Sequence, residues 1–125
     1  MHRERFEELV AEAVSQLPEE FRERLENVDI TVQGWPSRGQ LKSTRTGTGH
    51  TLLGLYHGIP MIRRGRGYSL VPPDKITIFQ KPIEARCRDD DEIRDTVRKV
   101  VRHEIAHHFG IDDARLSELE GRRDS

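Results

Sequence analysis

His103-Glu104-Ile105-Ala106-His107-His108-Phe109-Gly110-Ile111-Asp112-Asp113 is the stretch on which the reading of this 125-residue chain turns. It contains H-E-x-x-H and extends it to H-E-x-x-H-x-x-G-x-x-D. Each fixed position has a chemical reason. On a helix, residues four apart share a face and stand one turn, roughly 6 Å, from each other. His103 and His107 have that spacing, so both imidazoles can reach one zinc ion. Glu104 lies about 100° round the helix from His103. There it avoids the metal and can take a proton from water as general base. Gly110 ends the helix, because glycine takes a left-handed conformation without a Cβ penalty. The turn that follows brings Asp113 back as a third ligand. Two His and one carboxylate leave the fourth zinc position open for water, as a catalytic site requires. Asp113 also suits the N-cap of a following helix. Asp112, Glu118 and Glu120 compete with it as ligands.

Upstream, Asp89-Asp90-Asp91-Glu92 opens this same helix, since acidic residues favour the positive end of the helix dipole. Ile93, Val97, Val100, Val101 and His107 describe its inward stripe. His108 points about 100° away from His107 and reads as a supporting or packing residue. The segment Asp112 to Glu120 predicts a short C-terminal helix.

Further out, Lys75 to Gln80 is bounded by prolines and is the clearest strand. Pro82 to Cys87 predicts one or two helical turns, and Thr51 to His57 a second strand, with a turn at Gly58-Ile59-Pro60. Met61-Ile62 suits a short strand, and Arg63 to Gly67 a solvated basic turn. Val28 to Val32 alternates and is β-branched, as a strand should be. Gln33 to Thr51 is rich in Gly, Ser, Thr and Arg and predicts a long loop in which Trp35 serves as an anchor. At the start, Phe6, Leu9, Val10, Ala13, Val14 and Leu17 predict an amphipathic helix from Arg3 to Leu17. Pro18 then begins a second short helix with Phe21 and Leu25 inward. Strands first and the long helix last predict an α+β fold: a small mixed sheet with helices packed on it.

The chain length argues for one domain spanning 1-125. Hydrophobic and charged residues each make up 34%, a composition for a heavily charged soluble domain with a real core. A net charge of −1 argues against nucleic acid and anionic membranes as partners. The single Cys87 excludes an internal disulfide, suits a reducing cytoplasm and reads as a small apolar residue. The first residues lack the apolar centre of a signal peptide. His50 and His57 fall in or beside loops, and Tyr56 and Tyr68 are candidates for stabilising an oxyanion.

Taken together, these motifs resemble the zincin metallopeptidases. Gly110 and the ligand position after it resemble the metzincin clan, with Asp113 where a third His is usual. The whole chain resembles a family of small bacterial single-domain proteins, the minimal zincins. That resemblance covers Leu52 to Pro60, Pro73 to Phe79 and His103 to Asp113. It departs from true metzincins in one respect: the twelve residues after Asp113 contain no Met to build their methionine turn. The resemblance implies a zinc metalloendopeptidase. It also implies that the strand before the active-site helix is an exposed edge. Ile76, Thr77, Ile78 and Phe79 would then pair with a peptide or unfolded protein substrate. Lys75 and the flanking prolines suit an edge. The alternative is a non-proteolytic, metal-dependent peptide-binding module of the same fold. A cleft with one wall excludes water poorly and invites a partner protein to complete it. A third reading, nucleic-acid binding through Lys42, Arg45, Arg63, Arg64 and Arg66, lacks any recognised motif.

Overall fold

The computed structural model describes residues 1–25, 28–43, 52–57 and 74–110, together with Arg115 and Glu118. Its elements run in the order α1 (Arg3–Ser15), α2 (Glu19–Arg22), β1 (Val28–Gln33), α3 (Arg38–Ser43), β2 (Gly54–His57), β3 (Asp74–Phe79), α4 (Gln80–Ala85) and α5 (Asp90–Phe109).

The ends of α5 follow from its sequence. The Asp89 carboxylate accepts a hydrogen bond from the Glu92 amide at 2.8 Å, which satisfies one of the donors a helix start leaves open. Asp90, Asp91 and Glu92 fill the first turn, where the dipole favours them. Gly110 closes the helix at φ 71°, ψ 28°, the left-handed conformation expected of it.

The three strands are ordered β1-β3-β2. β3 pairs in parallel with β1, Ile30 opposite Ile76 and Val32 opposite Ile78. It pairs antiparallel with β2, Gly54 opposite Ile78 and Tyr56 opposite Ile76. β3 is therefore the central strand, which overturns the expectation that it is an edge. Both its hydrogen-bonding edges are occupied, and Ile76, Thr77, Ile78 and Phe79 are all buried. They cannot add a substrate strand. They build the core instead.

The core lies between the sheet and two helices. Phe6, Leu9, Val10 and Ala13 of α1 and Ile93, Val97, Val101 and Ile105 of α5 meet Ile76 and Ile78 of β3. Burying a Leu, Ile, Val or Phe side chain of this kind contributes about 1.5–3 kcal/mol each. α4 follows β3 without a loop, so β3 begins at Asp74 and ends at Phe79, one residue earlier at each end than the composition suggests.

One element was missed by sequence reasoning. α3 interrupts the predicted long loop, held by a reciprocal cap. The Gln40 amide donates to Ser37 Oγ at 3.1 Å, and the Ser37 amide donates to Gln40 Oε1 at 2.7 Å. The pattern Ser-x-x-Gln is a capping box. Trp35, expected to anchor this loop, is 60% exposed. Its carbonyl, not its ring, is tied down, accepting from Gln33 Nε2. The basic turn after Ile62 and the short strand before it lie outside the described residues. Of the predicted C-terminal helix only Arg115 and Glu118 are described, both helical.

Candidate metal centre

The geometry of α5 sorts its side chains by angle. At about 100° per residue, Val97, Val101, Glu104, Ile105 and His108 fall on one side, His107 lies about 60° beyond Glu104 and His103 about 100° beyond it. The burial agrees: Glu104, Ile105 and His108 are buried, while His103 and His107 are exposed. His107 therefore does not belong to the inward stripe in which the apolar periodicity placed it. Its side chain is 51% exposed and reaches the surface at the edge of the core. His108 takes the inward place.

His103 and His107 lie with ring centroids 4.3 Å apart. Glu104 Oε1 is 3.6 Å from His107 Nδ1. One ligand atom from each of His103, Glu104 and His107 can be chosen so that all lie within 4.8 Å of one another. Two imidazole nitrogens at tetrahedral zinc, each about 2.0–2.1 Å from the ion, stand roughly 3.3 Å apart. Ligand atoms already within 4.8 Å, on two imidazoles with a carboxylate beside them, are the donor chemistry zinc takes, so the residues present fit a zinc ion. Asp113, Asp112 and Glu120 lie outside the described residues. Glu118 is exposed, and its carboxylate accepts from Arg115 at 2.9 Å.

Glu104 is buried because β2 lies across it, and Gly54 makes that crossing possible. A Cβ at position 54 would stand 2.6 Å from Val100 Cγ1, 3.1 Å from Glu104 Cγ and 3.5 Å from Glu104 Oε2. A lone glycine in an apolar strand is the sequence signal for such close approach, and it was legible at Gly54.

Behind the His-Glu-His group sits a second polar cluster that sequence reasoning did not assemble. Asp74, the first residue of β3, is buried, and its Oδ2 accepts from the Tyr56 hydroxyl at 2.8 Å. His108 Nδ1 lies 2.9 Å from the same oxygen and 3.3 Å from the Tyr56 oxygen. The Tyr56 hydroxyl is thus turned inward onto a carboxylate, away from any role on an oxyanion. His57, its neighbour, is exposed and by strand alternation lies on the opposite sheet face. Tyr68 and His50 lie outside the described residues. Cys87 is half-buried against the core, and its Sγ lies within hydrogen-bonding distance of Thr96 Oγ1, at 3.5 Å. Among the described residues, no helix is long and apolar enough to cross a membrane.

The comparisons with known proteins agree with this architecture. A model of the family described as zincin-like metallopeptidase matches residues 25–123. A solved structure from T. thermophilus, described as a conserved hypothetical protein, aligns with a TM-score of 0.57 and 24% identity. The alignment covers 97% of this chain and 99% of that one, and it shows the fold. No curated protein matches the sequence. The family match runs through every element from β1 to the helix that carries His103, Glu104 and His107, and on it the chain belongs to the zincin-like metallopeptidase family.

Proposed function

We propose that the protein is a zinc-dependent endopeptidase in which His103 and His107 hold the ion, with Asp113 as third ligand. The observation that carries this reading is the placement of Glu104: a buried carboxylate within 4.8 Å of two exposed imidazoles on one helix. A zinc site that only stabilised the fold would not need that carboxylate beside it. When bound, zinc supplies a Lewis acid that brings the pKa of water toward neutrality. Glu104 accepts the proton of the attacking water and delivers it to the departing amine. Burial under β2 holds the Glu104 carboxylate in one position, which is what a general base requires.

Substrate recognition follows from the sheet order. With β3 in the centre, the strand adjoining Glu104 is β2. A peptide or unfolded protein substrate brought to the metal site would pass beside this strand and Glu104.

A second reading is a metal-dependent peptide-binding module. It draws on the 51% exposure of His107, since a site open to water strengthens electrostatic catalysis little. A diverse peptide library separates the two. A peptidase cleaves members of it, stops when zinc is chelated and recovers when zinc is restored. A protein that takes up zinc, retains library peptides and cleaves none is the binding module.

A further inference from the structure

The Tyr56–Asp74–His108 cluster takes no part in the proposed reaction, yet it joins three elements behind the metal-ligating face. Tyr56 comes from β2, Asp74 from the start of β3 and His108 from the last turn of α5. Two donors converge on one oxygen: the Tyr56 hydroxyl at 2.8 Å and His108 Nδ1 at 2.9 Å from Asp74 Oδ2. This assigns the His108 proton to Nδ1, since a deprotonated Nδ1 would face the carboxylate lone pair to lone pair. The rings of Tyr56 and His108 pack edge to face, 5.5 Å between centroids.

Burial of the Asp74 carboxylate is costly and persists only when its charge is hydrogen-bonded. Apolar residues of similar volume would hold the same elements together as well or better. What a converging set of hydrogen bonds adds is direction. It fixes the rotation of α5 about its axis and its distance from β2. Those two variables determine where Glu104 sits beneath Gly54 and where the adjacent His107 emerges. We propose that Tyr56, Asp74 and His108 are positioning residues that set the geometry of the His103–His107 metal site. This inference rests on the reading of that pair as metal ligands.

The test uses the whole chain and Zn2+ or Co2+ as the probe. Zn2+ affinity is measured by competition with a chromophoric chelator, and site geometry by the visible spectrum of the Co2+ form. The variants are Tyr56→Phe, Asp74→Asn and, as a control, Val97→Ala, a buried α5 core change outside the cluster. Tyr56→Phe keeps the Asp74–His108 pair and so tests the idea even if Asp74→Asn does not fold. Tyr56→Phe and Asp74→Asn should weaken Zn2+ binding on the order of tenfold, the lower end of what losing a bond directly on a ligand costs, because these bonds act through the placement of α5, and should shift the Co2+ spectrum. Val97→Ala should lower the melting temperature and leave both unchanged. Wild-type affinity and spectrum in a folded cluster variant would overturn the proposal alone, leaving the cluster a stability clip. A wild-type chain that binds neither ion would overturn the metal reading, and the proposal with it.

Discussion

Gly54→Ala adds one methyl group where β2 crosses α5. The new carbon would lie 2.6 Å from Val100 Cγ1, about 1 Å inside the 3.5–4.0 Å at which carbon atoms rest. Overpacking of this size costs about 1–3 kcal/mol. Position 54 lacks the positive φ found at Gly110, so the stiffer unfolded chain returns about 0.4–1 kcal/mol. The net loss is about 1–2 kcal/mol. An unfolding entropy of about 2.1 cal/mol/K per residue turns that loss into a fall of about 4–8 °C in Tm, read by calorimetry. Peptide cleavage should fall further than stability does. The same methyl stands 3.1 Å from Glu104 Cγ and must push the carboxylate aside, and a misplacement of about 1 Å costs on the order of 100-fold. The double variant Gly54→Ala/Val100→Ala separates the two effects. Removing Val100 Cγ1 vacates the space the new methyl needs, so the double variant should be more stable than the two single losses added together. Glu104 remains crowded, so cleavage should stay low. A Gly54→Ala protein with wild-type Tm and turnover would refute the close approach of β2 to α5. Full recovery of turnover in the double variant would refute the part assigned to Glu104.

Two other expectations test parts of the frame. Gly110→Ala should lose about 1–2 kcal/mol, seen as a lower denaturation midpoint, because φ 71° strains a Cβ although no neighbour would touch it; an unchanged midpoint would mean that α5 ends differently. Glu84 gives a pH signature. Burial pushes its carboxyl up, but the Gln80 hydrogen bond, the Met1 ammonium and Lys81 outweigh that and hold its pKa below the ordinary 4.5. A depressed folded pKa means that its stabilisation is present above about pH 4.5 and is lost as pH falls through the folded value. The gap in Tm between wild type and Glu84→Gln should therefore be widest near neutrality and close on acidification; a gap independent of pH would contradict the ion pair.

The parts of this molecule legible in the sequence are those written locally. α5 carries its own N-cap, acidic first turn, apolar stripe and terminal glycine, and each is where local rules place it. The α+β class follows from the order of such elements. Strand order does not. Lys75 and the nearby prolines look like protection of an edge, but whether β3 is an edge depends on β1 and β2, both distant from it along the chain. The histidines show a finer limit. His107 and His108 are neighbours, and a shift of about 100° decides which faces the core. Apolar periodicity could not separate them because both are polar. Asp74 had no local signal at all: its burial makes sense only once Tyr56 and His108 converge on it. The capping box at Ser37–Gln40 was readable and was hidden by the Gly- and Ser-rich composition around it.

The most direct test pairs zinc content with cleavage for wild type, Glu104→Gln and His107→Ala. Zinc is counted by elemental analysis, and turnover is followed on a peptide that the wild type cuts. One zinc per chain is expected in wild type and Glu104→Gln, and much less in His107→Ala. Cleavage should survive in wild type alone, because loss of a general base costs about 100- to 10,000-fold. Undiminished turnover by zinc-loaded Glu104→Gln would contradict the assignment of Glu104 as the proton acceptor.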